Sequence, residues 1–430
     1  MVLRPIVKTA IRVFYKRLTI IGEQNMPKGN TPVMLVSNHQ NGMMDPILLC
    51  VIEKKQLHWL TRADIFQKPL ISKILHALNM LPVYRPKDKI SNSTERNKAI
   101  FQEAHRRIGA GNIISVFPEG NHGSKKRLRP IKTGPARIAF GAEEASNFEL
   151  GLQIIPVGID YSNYENFRSD VLVNYGDPIP VSQFKEQYRK DPIAAVKSFR
   201  EVIRKAQADV MIDIQDLDLY ETIISIEKTG EDLILEHLDL EHNHLNEFKA
   251  FKHLTRQIEK LKEDKKEDIE NLKLIAASYR EELNKYQIEE KYLFTYGKNF
   301  TIGKLVLILL FPLFLFGFIC IGGPFLLIKR YVDKNVKDPH FKSSIKVAFG
   351  AFGYLFYFIF VFIVLSIIFS FKIAVIGLLL MLIFGYFSLK YSDEYRRMKD
   401  ISEVNNLEEK QIISLREKQN SIREIIKQFL

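Results

Sequence analysis

The sequence predicts an α/β domain over residues 1–185, followed by a helical region and C-terminal membrane helices. Two observations carry the α/β assignment. Short apolar runs of five to seven residues alternate with longer amphipathic stretches, the pattern of strands joined by helices. Polar residues able to do acid–base or anion-binding chemistry stand directly after several runs, and open α/β sheets collect their sites at strand ends. A chain of 430 residues allows two or three domains and one sizeable core.

The chain opens on a helical pattern. Arg4, Lys8, Arg12 and Lys16 form one row, and Leu3, Ile6, Val7, Ala10, Ile11 and Phe14 the opposite face. Such a helix suits either an anionic membrane surface or a seat on the globular domain. Charge interrupts its apolar face too often for a secretory signal. Strands are expected at 18–22, 33–37, 57–61, 113–117, 154–160 and 171–175, with a turn at 26–30. Helices are expected at 46–54, where Pro46 fits a first turn, at 65–80, at 92–110 with Asn92 and Ser93 as cap candidates, and at 133–145.

Residues 186–300 read as a charged helical bundle or hairpin. Leu254, Ile258 and Leu261 stripe one helix; Ile269, Leu272, Ile275, Tyr279, Leu283 and Tyr286 stripe the next, with 262–268 between them. Residues 301–390 hold three long apolar stretches, 305–328, 347–371 and 373–389, each uncharged. Three simple passes would place the basic loop of Lys329, Arg330, Lys334, Lys337, Lys342 and Lys346 opposite the basic first domain, against the positive-inside rule. Two hairpins avoid that conflict: the first stretch broken at Pro312 and Gly322–Pro324, the second and third turning near Ser370–Lys372. Residues 391–430 read as a cytoplasmic helical tail. The expected location is thus a membrane, integral through the C-terminal region, with the first domain facing the cytoplasm.

A net charge of +12 favours anionic partners. A nucleic-acid partner is disfavoured, because neither a basic–aromatic platform nor a zinc-finger spacing is present. Two cysteines, Cys50 and Cys320, build no disulfide framework.

The chemistry centres on residues 33–45. The apolar run Val33–Val36 delivers Asn38 and His39 to its end, and Asp45 follows on the same loop. A carboxylate that fixes the tautomer of an imidazole makes a general base. No Gly-x-Ser-x-Gly elbow accompanies it, so the nucleophile would be a substrate hydroxyl. The run 113–117 ends in Phe117, Pro118, Glu119 and Gly120, with Lys125, Lys126, Arg127, Arg129 and Lys132 behind. A glycine turn followed by cations can hold a phosphate. Arg85, after Leu81–Tyr84, suits an anion clamp. His122 has no partner at ligand spacing and reads as a loop residue. Each feature alone reads as ordinary solvated surface; the ordered set does not.

Together these blocks resemble the glycerolipid phosphate acyltransferase superfamily, of the 1-acylglycerol-3-phosphate acyltransferase type, over about residues 10–185. Asn38, His39 and Asp45 match its first block; Pro82–Pro86, centred on Arg85, the second; Phe117–Gly120 the third, unchanged; and Ile154–Gly158 the fourth. Gly176–Ile179 is similar to the family's closing turn. Two departures stand out. Five residues, not the usual four, separate His39 from Asp45, a spacing also found in fungal-type glycerol-3-phosphate acyltransferases. Asn121-His122-Gly123 replaces the family's polar residue and arginine after Gly120, which moves that arginine's role to Lys125, Lys126 or Arg127.

The resemblance implies a glycerolipid acyltransferase-like catalytic domain and acyl transfer from acyl-CoA or acyl-carrier protein to a glycerophosphate. Lysophosphatidate leads as acceptor, glycerol 3-phosphate follows, and another lysolipid comes third. His39 and Asp45 are the implied catalytic pair. Asn38, Arg85, Phe117, Pro118, Glu119, Gly120 and Lys125 are the implied substrate-binding residues, with backbone N–H groups near Gly120 or the Asn38 amide as oxyanion donors. The implied partners are the lipid bilayer, the acyl donor and the acceptor; no metal or other cofactor is implied. The non-enzymatic alternative is a membrane scaffold on an inactive acyltransferase fold, against which His39, Asp45 and Glu119 all stand.

Overall fold

A computed structural model describes residues 3–85 and 92–430, the side chain of Thr94 excepted. Pro86, which ends the second block, lies outside the described residues. The chain divides into two compact units. One comprises Met1–Ile214 with Asp338–Ser344; the other comprises Gln215–Lys337 with Ile345–Leu430.

The first unit is the expected α/β domain. Helix α1 (Leu3–Phe14) leads to β1 (Arg17–Ile21) and β2 (Val33–Ser37). Then come α2 (Met44–Ile52), β3 (Leu57–Arg62), α3 (Pro69–Ala77), β4 (Met80–Val83), α4 (Ser93–Gly109) and β5 (Ile113–Val116). Helix α5 (Gly134–Glu144), β6 (Gln153–Tyr161), β7 (Asp170–Tyr175), β8 (Ile179–Pro180), α6 (Lys185–Lys190) and α7 (Pro192–Val210) complete it. The strands form one mixed sheet in the order β1-β7-β6-β2-β5-β3-β4, with β8 paired to β6. β2 lies parallel between β5 and β6, with Val36 beside Val116 on one side and Pro156 on the other. All five residues of β2 and all four of β5 are buried, which is why both read as apolar runs in which only Ser37 and Ser115 are polar.

One open alternative is decided and one local expectation is revised. Helix α1 is seated on the domain: Ile11 and Phe14 are buried, and the Arg4 guanidinium donates to the carbonyls of Val51 and Ile52 at 3.1 Å. Those carbonyls belong to the last turn of α2, where a cation also complements the helix dipole. Helix α4 begins at Ser93, but Asn92 sits at φ 57° and makes no side-chain cap bond.

The domain also runs past residue 185, to Ile214. Helix α7 brings Phe199 and Ile203 into the core beside Phe140 of α5, and each such burial contributes about 1.5–3 kcal/mol. Its end crosses β6 closely: Gln207 donates to the Val157 carbonyl at 2.8 Å and Asn174 to that of Val210 at 3.0 Å. A Cβ on Gly158 would collide with the Val210 carbonyl oxygen, so only glycine lets the two backbones meet.

The second unit begins with α8 (Tyr220–Ser225), α9 (Glu227–His237), α10 (His244–Leu261) and α11 (Lys266–Tyr286). Three longer helices follow, α12 (Thr301–Asn335), α13 (Pro339–Ile368) and α14 (Phe371–Asn405), and then α15 (Glu409–Lys427). The first turn of α13, through Ser344, belongs to the first unit. Ile269, Leu272 and Tyr279 of α11 are buried as their spacing predicts. The C-terminal segment is no separate tail: Ile412, Leu415, Ile422 and Ile426 of α15 are buried, and Lys418 pairs with Glu282 of α11 at 2.7 Å. The boundary expected at residue 390 falls inside the continuous helix α14.

Helices α12, α13 and α14 are each long and apolar enough to cross a membrane. The expected break in the first stretch is absent: α12 continues through Pro312 and Pro324. Pro324 has no N–H for the carbonyl of Cys320 one turn earlier. The Tyr357 hydroxyl donates to that carbonyl at 2.6 Å instead, which replaces the hydrogen bond the proline cannot make. α12 pairs antiparallel with α14: Ser388 donates to the Phe314 carbonyl at 3.0 Å, Tyr391 to that of Leu307 at 2.9 Å, and Lys304 approaches Ser402. The chain therefore leaves at Thr301 and returns at Asn405 on the same face. α13 and α14 turn at Phe369–Ser370, near the expected place, with Ser370 capping α14.

Candidate active site

Strand register assembles the site. β2 and β5 run parallel with Val36 opposite Val116, so the segments after them, Asn38–His39 and Phe117–Glu119, emerge side by side. The His39 backbone N–H donates to Glu119 Oε1 at 3.0 Å, and the His39 ring stacks on Phe117 at 4.0 Å between centroids. Trp59 of β3 backs Phe117 at 5.5 Å.

His39 Nδ1 lies 2.7 Å from Asp45 Oδ2. Asp45 is fully buried in the first turn of α2 and has two further donors, the Asn41 N–H at 2.9 Å and the Tyr161 hydroxyl at 2.6 Å. A carboxylate so surrounded is a fixed acceptor, and the bond puts the His39 proton on Nδ1 and the lone pair on Nε2. The extra residue of the loop is absorbed in a tight turn, where Met44 and Asp45 N–H groups both donate to the Asn41 carbonyl. Tyr161 eluded sequence reading because its hydroxyl arrives from β6, far along the chain. Burial, then the Asp45 charge, push its pKa well up, so it stays a neutral donor.

Glu119 is held from the other side by Arg129, whose Nε lies 2.5 Å from Oε2. The same guanidinium donates to the carbonyls of His122, at 2.6 Å, and Asn121. Burial raises the Glu119 pKa, and Arg129 offsets part of that rise. The cation beside Glu119 is thus Arg129, not Lys125, Lys126 or Arg127. Lys126 pairs with Asp160, and Lys125 is exposed. The sequence shows Arg129 only as one of a basic run.

The other nominated residues take varied positions. Asn38 is buried, its amide bonded both ways to the Ile159 backbone at 2.7 and 2.9 Å, where it locks β2 to β6. The Gly120 N–H closes a turn onto the Phe117 carbonyl at 3.1 Å, with φ at 74°. The Asn38 amide and the Gly120 N–H, two of the groups expected to serve as oxyanion donors, are therefore already hydrogen-bonded. The buried Pro118 accepts from the Lys132 N–H at 2.8 Å. Arg85 stands beyond the end of β4, with β3 and β5 between that strand and β2, and is 3.5 Å from Asp64.

His122 is not an isolated loop residue. Its ring lies 5.8 Å from that of His39 and 4.6 Å from that of His340, and Asp338 is beside both. Sequence reading missed the cluster because Asp338 and His340 are remote in the chain. Burial and the neighbouring imidazoles push the His122 pKa down.

A family model described as acyltransferase matches residues 17–160, the stretch that holds the strand-end blocks and the His39–Asp45 pair. That stretch of the first unit is similar to the acyltransferase family. Among similar proteins, glycerol-3-phosphate O-acyltransferase 2 of Saccharomyces cerevisiae is 29% identical over 148 residues, 34% of this chain and 19% of the yeast protein. A chloroplastic 1-acyl-sn-glycerol-3-phosphate acyltransferase of Brassica napus is 25% identical over 171 residues, 39% of this chain and 44% of that protein. The chain thus spans about a fifth of the yeast relative's length. The solved 1-acyl-sn-glycerophosphate acyltransferase of Thermotoga maritima aligns at 20% identity and a TM-score of 0.33, over 47% of this chain and 80% of that one. Within the matched stretch the His39–Asp45 pair and the Phe117–Gly120 block stand at neighbouring strand ends.

Proposed function

We propose that this domain transfers an acyl group from an acyl-CoA or acyl-carrier-protein thioester to a hydroxyl of a glycerophosphate, with 1-acyl-sn-glycerol-3-phosphate as the first choice. The observation that carries the reading is the 2.7 Å bond between His39 Nδ1 and Asp45, which leaves Nε2 as the base. His39 takes the proton of the acceptor hydroxyl, and that oxygen attacks the thioester carbonyl. The tetrahedral intermediate collapses, the C–S bond breaks, and the departing thiolate takes the proton held on Nε2. Asp45 stabilises the imidazolium between these steps. Glu119 and Arg129 hold the His39 backbone in place, and the basic loop behind them favours an anionic acceptor.

Glycerol 3-phosphate is the second reading. It is favoured by the five residues between His39 and Asp45 and by the name of the yeast relative. Purified protein in lipid is given labelled acyl donor with each acceptor in turn, and the preferred acceptor decides. Wild-type transfer by His39→Ala would overturn the mechanism.

The ends of the α12–α14 pair are assigned to the cytoplasmic side. Lys304, Lys390, Arg396, Arg397 and Lys399 cluster there, while Lys329, Arg330, Lys334, Lys337, Lys342 and Lys346 lie at the other end, so the charges alone do not choose the side and thiol labelling does. With Cys50 and Cys320 replaced, a cysteine introduced at Asn405 resists an impermeant thiol reagent in intact cells; labelling there would reverse the assignment.

A further inference from the structure

We propose that His122, Asp338 and His340 bind a divalent transition-metal ion, with zinc the best match to two imidazoles and one carboxylate. One donor atom from each residue lies within 4.8 Å of the other two. Zinc–nitrogen and zinc–oxygen bonds of about 2.0–2.2 Å place neighbouring ligand atoms roughly 3–4 Å apart in a tetrahedron, so only small adjustments are required. Asp338 Oδ2 already stands 3.7 Å from His122 Nε2.

The roles within the cluster are distinct. Asp338 Oδ1 accepts from the His340 backbone N–H at 3.0 Å and faces His340 Nδ1 at 2.8 Å. The ion takes the place of the proton between them, so His340 binds it through Nδ1, the edge of the ring that faces Asp338. His340 Nε2, on the opposite edge of the ring, is a buried atom with no hydrogen-bond partner among the described residues. Tyr164 stacks on His340 at 5.4 Å, and Phe341 meets His122 edge-on at 5.4 Å, so both rings are held. Ser343 exchanges hydrogen bonds with the Asn41 side chain at 2.9 and 3.1 Å, which anchors the segment that supplies Asp338 and His340.

A plain structural role accounts for Asp338, which caps the start of α13. It does not account for a second imidazole, that of His122, 4.6 Å from the His340 ring and facing the same carboxylate. A second group, Glu231, Asp232 and His242, differs in kind: the Lys228 ammonium already neutralises Glu231 and stands 3.7 Å from Glu247.

The test uses full-length protein in detergent, stripped with a chelator and titrated with Zn2+, and with Co2+ for a visible spectrum. The expected result is one tight ion per chain, a Co2+ spectrum of a nitrogen–oxygen site, and a melting temperature raised by Zn2+. His122→Gln, Asp338→Ala and His340→Ala each weaken binding by at least about tenfold, while His242→Ala leaves it unchanged. Circular dichroism of the metal-free variants establishes that each is folded; His122→Gln, in a loop, carries the test if an α13 variant is not. Binding by His122→Gln equal to wild type, or no tight ion on the wild type, overturns the proposal.

Discussion

The backbone N–H of His39 is bound to the carboxylate of Glu119 at 3.0 Å, so the general base and the Phe-Pro-Glu-Gly block are one hydrogen-bonded unit. Glu119 therefore acts on the reaction through the position of His39. Glu119→Gln keeps an acceptor for that N–H but loses the charge opposite Arg129. Transfer is expected to fall about ten- to a hundredfold, the size of a charged hydrogen bond, with KM for the acyl donor little changed.

The raised pKa of Glu119 gives a second, thermodynamic readout. Its folded pKa exceeds its unfolded one, so the unfolded chain gives up this proton first as pH rises. Stability from this group is present below the ordinary glutamate range and is lost as pH climbs from about 4.3 through the raised value. The amide of the Glu119→Gln variant does not titrate. Melting temperatures measured across that window are expected to show the variant gaining on wild type as pH rises; parallel curves would contradict the shift.

Asp45 accepts from three donors, and an amide there turns one contact into a donor–donor clash. Asp45→Asn is expected to lower transfer about 10³- to 10⁴-fold, as loss of an orienting carboxylate does. Tyr161→Phe removes one donor to Asp45 and is expected to cost about 10–100-fold in kcat. Steady-state kinetics on both variants, with circular dichroism as the folding control, checks this pair.

Gly158→Ala sets a methyl group against the Val210 carbonyl oxygen. Overpacking of this kind costs about 1–3 kcal/mol or more. Urea unfolding is expected to shift to lower concentration, with α7 released first under limited proteolysis.

Tyr357→Phe leaves the Cys320 carbonyl without the donor that Pro324 cannot supply. The expected loss is about 0.5–2 kcal/mol, read as a lower melting temperature in detergent. Pro324→Ala restores an N–H to the same carbonyl, so Tyr357→Phe on that background should cost less. Additive losses would show that the two residues are not coupled.

The site was legible where its chemistry is local. His39 and Asp45 share a loop, and Phe117–Gly120 is contiguous, so both could be found along the chain. Arg129 was hidden as one of five cations in a row, because nothing in their order says which one the turn at Gly120 directs onto Glu119. The helical region was legible as stripes, since periodicity marks a buried face. It does not mark the element that covers that face, and α15 and α7 were therefore read as separate from the bodies they complete.

Strand period, helix period and apolar length are local properties. The order of residues alone is therefore enough for the α/β class, for the strands that end in His39 and Glu119, and for three helices apolar enough for a bilayer. Packing in three dimensions supplies the rest: Tyr161 reaches Asp45, Arg129 holds Glu119, His122 meets Asp338 and His340, and α12 pairs with α14. Each of these depends on strand register or helix packing between residues far apart in the chain. One shift of register between β2 and β5 would separate His39 from Glu119 while leaving every motif intact.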